Sequence, residues 1–225
     1  MIKVPATPAG VPAIRTLIAE GINVNVTLVF SVQRYAEVLE AFTDGLEQRA
    51  ARNQSLAGIA SVASFFISRI DTAVDSRLDA IGTPAARALR GGTAIACAQL
   101  AYAQYQAWEN SDRWRKLRDL GAQPQRLLWA STSTKDPAYD ELLYVEALIG
   151  PGTVNTLPRA TLQAYRERGK PELRLGSGAP PARHLQGLRE LGIDLDQTAV
   201  QLEREGITKF AEPFGQLLAA IEATA

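Results

Sequence analysis

Short apolar runs alternate with longer stretches of helical periodicity along most of this chain. The periodicity predicts helices over about 10–20 and 32–49, more helical material over 72–120, and further helices near 159–168, 182–191, 195–205 and 208–223. The apolar runs between them predict five strands: Ile2–Val4, Ile22–Phe30, Ala63–Ile70, Arg126–Ser131 and Thr153–Thr156. Strand–helix alternation favours an α/β fold on a parallel sheet, either open and doubly wound or closed as a barrel.

The turn after the first strand favours the barrel. A doubly wound nucleotide-binding fold has a glycine-rich phosphate turn there, but residues 6–10 read ATPAG, without Gly-x-Gly-x-x-Gly or a Walker A lysine. The second strand carries amides and hydroxyls on one face, including Asn25 and Thr27. In a barrel that face points inward and lines the active site. The alternative is a half-exposed edge strand with a solvated face.

The composition excludes several classes of function. The 225 residues include 24 basic and 24 acidic side chains, and this zero net charge argues against a nucleic-acid or anionic-membrane partner. Cys97 and His184 are the only cysteine and histidine, so no internal disulfide or Cys/His metal centre is expected. A Ser-His or Cys-His nucleophile system would need His184, which we interpret as a surface helix residue; Cys97 is interpreted as a packed core side chain.

No secretory signal peptide is predicted, and the apolar stretch 91–108 contains too many polar residues for a membrane span. The expected compartment is the reducing cytosol.

Lys3 is the most informative single residue. It lies inside the first apolar run, where a lysine is costly unless it is used. Schiff-base formation with a carbonyl substrate is the chemistry that suits it. The alternative interpretation is an ordinary solvated lysine near the amino terminus.

Several segments resemble the transaldolase family, in particular its larger bacterial subgroup. The resemblance covers essentially the whole chain. It is carried by KVPATPAGVPAIR at 3–15, GINVNVTL at 21–28, FFISRID at 65–71, LWASTSTK at 128–135 and EREGITKF at 203–210.

The resemblance implies a (β/α)8 TIM barrel whose fourth strand bears the Schiff-base lysine. The five predicted strands would then be strands 4–8, and residues 1–225 would form a single transaldolase-like domain that is the C-terminal portion of the barrel. Strands 1–3, with their acid–base residues, would be missing, which leaves an incomplete barrel.

The implied activity is transfer of a dihydroxyacetone unit from sedoheptulose 7-phosphate or fructose 6-phosphate to glyceraldehyde 3-phosphate or erythrose 4-phosphate, in the non-oxidative pentose phosphate pathway. No metal or organic cofactor is implied, because the iminium on the lysine accepts the electrons. Sugar phosphates are the implied ligands, and a homo-oligomer or a separate N-terminal segment is left open as a partner.

The resemblance also assigns site residues. Lys3 is the nucleophile, and burial in a barrel interior is expected to lower its pKa toward neutrality. Asn25 would bind a hydroxyl of the dihydroxyacetone unit, and Thr27 would position a catalytic water. Ser64 and Phe66 match substrate-contacting positions on the next strand.

The remaining implied residues concern the phosphate end of the substrate. Arg69 would bind the terminal phosphate through charge-assisted hydrogen bonds; the alternative is a surface ion pair with Asp71 or Asp75. Ser131 matches a substrate-contacting serine. Many relatives have a second phosphate-binding arginine just after it, and Lys135 is the candidate substitute here.

Two other functional hypotheses stay open. The chain as written could be a catalytically inactive truncated fragment that folds poorly or needs a partner chain, since general acid–base groups contribute about 10²–10⁴-fold to rate. It could also be a related Schiff-base aldolase that cleaves its substrate without transfer. The long insertions near 43–58 and 82–120 argue against the compact aldolases.

Overall fold

The computed structural model describes residues 1–176 and 180–222. The strands are β1 (Ile2–Pro5), β2 (Val24–Val29), β3 (Ser61–Phe66), β4 (Arg126–Ala130) and β5 (Val154–Asn155). The helices are α1 (Gly10–Ala19), α2 (Val32–Ala51), α3 (Ser68–Ile81), α4 (Pro84–Arg87), α5 (Thr93–Glu109), α6 (Asp112–Asp119), α7 (Leu143–Ala147), α8 (Arg159–Arg168), α9 (Pro181–Glu190) and α10 (Leu195–Glu222).

The five strands form one sheet in chain order, and every neighbouring pair is parallel. The predicted α/β fold with a parallel sheet is therefore confirmed. Strands β1 and β5 are the two outer strands of this sheet. The numbering of these strands as the fourth to eighth of a barrel stays a prediction.

Helices α1 and α2 pack closely against each other beside the first strands of the sheet. Gly45 of α2 makes this approach possible, because a Cβ atom there would lie 2.7 Å from the Arg15 carbonyl oxygen and 2.8 Å from Ile18 Cβ. The contact fixes the connection between β1 and β2, and therefore the position of Lys3 beside Asn25.

We expect Gly45→Ala to lower the free energy of unfolding by about 1–3 kcal/mol, because the new methyl overlaps α1. Gly215→Ala is the matched control: a Cβ at this helical position meets open space, so the better helix propensity of alanine should leave stability unchanged or raise it by up to about 1 kcal/mol. Urea unfolding measures both variants. An equal change in the free energy of unfolding for both variants would contradict the close approach of α1 and α2 at Gly45.

The simple alternation predicted along the second strand is interrupted. The register between β2 and β3 shifts between Val26 and Val29, and Leu28 has a left-handed backbone with φ of 59°. A leucine in this conformation is strained and persists only when packing holds it. Leu28 is 1% exposed and packs against Gly206 of α10. The predicted alternation of side chains between the two faces of β2 therefore holds only as far as Thr27.

The third strand begins and ends earlier than the predicted range, Ala63–Ile70. The strand is Ser61–Phe66, and residues 68–70 form the first turn of α3. Arg69 is thus a helix residue just beyond the end of β3 rather than a strand residue. The apolar run continues across the junction through the buried Ile67 and Ile70, so periodicity alone could not separate strand from helix.

The two predicted helices at 195–205 and 208–223 form one continuous helix, α10, with Pro213 inside it. Gly206, which lies in the predicted gap between the two helices, is a buried helical position against Leu28. The short helix α7 was not predicted. Residues 169–181 are rich in glycine and proline, which predicts a loose segment, and residues 177–179 of it lie outside the described residues. Among the described helices, none combines the length and apolar character needed to cross a membrane.

Candidate functional site

Lys3 and Asn25 lie side by side in the sheet. They are register partners in the parallel pair β1–β2, so their side chains leave the sheet at the same level. The Ser64 hydroxyl of β3 donates a 2.8 Å hydrogen bond to Asn25 Oδ1. Three of the predicted site residues therefore form a row across three adjacent strands.

Lys3 is exposed, so the burial predicted for it is not found in this structure. The reason is its position on an outer strand of the open sheet. Its Nζ lies 5.5 Å from the centre of the Phe210 ring of α10, within the range of a cation–π contact. Phe210 is not among the predicted site residues; the signal for it in the sequence is the resemblance of segment 203–210 to the C-terminal helices of the family.

Thr27 lies two residues beyond Asn25 on β2. It is 2% exposed, and its Oγ1 has no hydrogen-bond partner among the described residues. A buried hydroxyl without a partner is costly, so such atoms are usually satisfied by water or ligand. This observation fits the predicted role of Thr27 in positioning a water.

Phe66 and Arg69 lie at the carboxyl end of β3. The Arg69 guanidinium carbon is 5.0 Å from the centre of the Phe66 ring, which also contacts Phe30 at 5.2 Å. No carboxylate of a described residue lies within ion-pair distance of Arg69. The alternative of an ion pair with Asp71 or Asp75 is therefore wrong, and the guanidinium is open to an anionic ligand.

Ser131 follows β4 directly and joins it to α3. Its Oγ is 2.8 Å from Ser68 Oγ, and its carbonyl accepts a 2.9 Å hydrogen bond from the Ser68 backbone N–H. Ser131 has φ of 58°, a strained backbone that these contacts hold in place. Ser68 is not among the predicted site residues, because only the fold brings it next to Ser131.

Lys135 does not lie in the row with Lys3. It is exposed, its Nζ donates to Ser133 Oγ at 2.7 Å, and it borders a separate cleft between α3 and the segment after β4. Asp136 and Tyr139 line the same cleft. A direct phosphate contact by Lys135 stays a prediction.

His184 differs from its predicted surface position. It is half-buried on α9, and its Nε2 lies 3.0 Å from Thr93 Oγ1. Burial lowers the pKa of His184. Thr93 begins α5, so this histidine holds two helices together and takes no part in the row across the sheet.

The family profile of transaldolase/fructose-6-phosphate aldolase matches residues 1–221. The chain belongs to this family. The match covers nearly the whole chain, and it confirms the resemblance carried by the segments around Lys3, Asn25 and Arg69.

Curated members of the family are similar over almost the full chain. A transaldolase from Parafrankia sp. (strain EAN1pec) is 50% identical over 222 residues, one from Frankia alni is 48% identical over 225, and one from Thermobifida fusca is 49% identical over 220. These alignments cover 97–98% of this chain and 60% of each relative.

The chain thus spans about 60% of the length of these family members. The family profile itself matches residues 1–221, so it does not support the reading of the chain as only a C-terminal portion of the family's sequence.

Proposed function

We propose that this protein acts as a transaldolase, which transfers a dihydroxyacetone unit from a ketose phosphate to an aldose phosphate through a Schiff base on Lys3. The observation that carries the proposal is the row of Lys3, Asn25 and Ser64 across adjacent strands, in a chain of the transaldolase/fructose-6-phosphate aldolase family. Sedoheptulose 7-phosphate or fructose 6-phosphate is the proposed donor. Glyceraldehyde 3-phosphate or erythrose 4-phosphate is the proposed acceptor.

The reaction begins when the neutral amine of Lys3 attacks the C2 carbonyl of the ketose. Loss of water gives an iminium. When the C3–C4 bond breaks, its electrons enter the iminium and form an enamine, and the C4 hydroxyl loses its proton as the aldose phosphate leaves. The enamine then adds to the aldehyde of the acceptor, and hydrolysis releases the new ketose.

The side chains around Lys3 suit the polar substrate. Asn25 offers its amide N–H₂ to a substrate hydroxyl, because its Oδ1 already accepts from Ser64. Thr27 is proposed to hold a water beside the iminium. Arg69 is proposed to bind the terminal phosphate, and the ring of Phe66 beneath it limits the orientations of the guanidinium.

Dependence on an acceptor separates the proposal from its alternatives. We expect fructose 6-phosphate to release glyceraldehyde 3-phosphate at an appreciable rate only when erythrose 4-phosphate is present. Release without any acceptor would favour the related Schiff-base aldolase, an activity that the family's own description includes. No release under either condition would favour the inactive fragment. The strand 4–8 numbering, an oligomer and a cytosolic location remain predictions.

Arg69→Met provides a test of the phosphate site. Methionine keeps much of the side-chain volume over Phe66 but removes the charge-assisted hydrogen bonds, so we expect KM for fructose 6-phosphate to rise about 10–100-fold. The KM for unphosphorylated fructose should stay within about threefold of the wild-type value. Arg118→Met, at an exposed position of α6, is the control. An equal rise in both KM values would contradict phosphate binding by Arg69.

A further inference from the structure

Two buried aspartates lie one helical turn apart on α3. Asp71 is 1% exposed and Asp75 is 6% exposed, and their spacing of four residues puts both on one face of the helix. Isolated buried carboxylates are costly, so each needs compensating hydrogen bonds. We call the aspartates and their two tyrosine partners the aspartate clamp: Asp71, Asp75, Tyr139 and Tyr144.

Asp71 joins three parts of the molecule. Its Oδ1 accepts a 2.7 Å hydrogen bond from the backbone N–H of Ala94, in the first turn of α5. Its Oδ2 accepts a 2.9 Å hydrogen bond from the hydroxyl of Tyr144 on α7. The N–H groups of a first helical turn lack partners within the helix, so the carboxylate also satisfies a donor of α5.

Asp75 repeats the arrangement one turn further along α3. Its Oδ1 accepts from the backbone N–H of Gly91 at 3.1 Å, and its Oδ2 accepts from the hydroxyl of Tyr139 at 2.7 Å. Both carboxylates thus connect the beginning of α5 on one side with the segment after β4 on the other.

The segment 131–144 is consequently attached to α3 at three points. Ser131 is bound to Ser68 at the beginning of the helix, and Tyr139 and Tyr144 are bound to the two aspartates. Asp136 adds a 2.6 Å ion pair with Arg90, which lies just before α5. The same helix carries Arg69 in its first turn.

We propose that the aspartate clamp positions the phosphate-binding side of the site, by fixing segment 131–144, which begins with Ser131, against the helix that bears Arg69. The substrate class concerned is the sugar phosphates, so this inference rests on the proposed function. Within the part of the chain that the structure describes, no contact joins the clamp residues to Lys3, so we assign them a positioning role. Their loss should weaken phosphate binding and leave the chemistry at Lys3 intact.

Tyr144→Phe tests the clamp with the smallest change, since only the hydroxyl is removed. Tyr102→Phe is the matched control, because it also loses a hydroxyl hydrogen bond, to the Pro151 carbonyl, but outside the clamp. We expect amide hydrogen exchange in peptides covering 131–144 to become about tenfold faster or more in Tyr144→Phe only. For Tyr144→Phe, titration calorimetry with inorganic phosphate should show about tenfold weaker binding than for the wild type. The KM of this variant for fructose 6-phosphate should rise, while its kcat stays within about threefold of the wild-type value.

Substitutions at Asp71 add a second test. Asp71→Asn keeps an acceptor for Ala94 N–H and a polar partner for the Tyr144 hydroxyl, so it should keep segment 131–144 protected from hydrogen exchange. Asp71→Leu should not.

If Tyr144→Phe matches Tyr102→Phe in both exchange and phosphate binding, the clamp proposal is overturned and the proposed function stands. If the wild-type chain binds no phosphate, the phosphate role of Arg69 fails, and exchange alone then decides whether the clamp holds the segment.

Discussion

Replacing Lys3 with arginine should lower the rate of dihydroxyacetone transfer at least about 10⁴-fold, because a guanidinium does not form the iminium on which every later step depends. Stability should stay within about 0.5 kcal/mol of the wild type, since Lys3 is exposed and arginine retains the charge over the Phe210 ring. The measurement is acceptor-dependent release of glyceraldehyde 3-phosphate, together with urea unfolding.

Lys209→Arg is the control for this substitution. Lys209 is exposed on α10, next to Phe210, and has no assigned role in the chemistry. The Lys209→Arg variant should therefore retain the wild-type rate of dihydroxyacetone transfer. Transfer by Lys3→Arg at more than about one hundredth of the wild-type rate would mean that another amine carries the reaction.

The second large effect concerns the pH dependence of stability at Asp71. Burial, helped by the nearby Asp75 charge, raises the pKa of Asp71 to about 6 in spite of the hydrogen bonds from Ala94, Thr93 and Tyr144. The pKa in the unfolded chain is 3.8. The folded state therefore holds the proton more tightly, and the stability present below pH 4 is lost as the pH rises to about 6. The loss amounts to about 3 kcal/mol.

Other titrating groups lie around this carboxyl. Burial and the Asp71 charge raise the pKa of the Cys97 thiol to about 12, well above the relevant range. His184, near Asp75, has a pKa lowered by burial from its ordinary value of 6.5. Acidification below pH 6.5 therefore destabilises the fold through His184, whereas it stabilises the fold through Asp71. The difference between a variant and the wild type isolates the contribution of Asp71.

We expect Asp71→Asn to have a higher free energy of unfolding than the wild type at pH 7. This advantage should be smaller by about 3 kcal/mol at pH 4, where Asp71 is protonated. Urea unfolding at several pH values measures this difference. Asp119→Asn, at an exposed position, is the control: its free energy of unfolding should differ from that of the wild type by nearly the same amount at every pH. A constant difference for Asp71→Asn as well would contradict a raised pKa at this buried position.

Local sequence patterns identified most of the elements that build the sheet. Alternating apolar and helical segments located all five strands, and α8 has the predicted bounds of Arg159–Arg168. The errors fall where tertiary contacts override local signals. Gly206 is a helix-breaking signal in the sequence, but the side chain of Leu28 occupies the space that a Cβ would need, and the helix continues.

The candidate site was predictable to a smaller extent. The resemblance to the family groups Lys3, Asn25 and Ser64. Strand register accounts for the first two, but it pairs Asn25 with Val62, so the contact with Ser64 depends on the side chains. The aspartate clamp could not be foreseen, because Asp71 and Tyr144 are 73 residues apart and only the fold brings them together. The contact between Lys3 and Phe210 joins the two ends of the chain and is inaccessible to local patterns in the same way.

Borohydride trapping shows directly whether Lys3 forms a Schiff base with the substrate. The chain is incubated with fructose 6-phosphate and sodium borohydride, digested, and mapped by mass spectrometry. We expect a reduced dihydroxyacetone adduct on Lys3, in the amino-terminal peptide, which disappears in Lys3→Arg and persists in Lys209→Arg. The absence of any adduct, or an adduct on a different lysine such as Lys135, would contradict the assignment of Lys3 as the Schiff-base nucleophile.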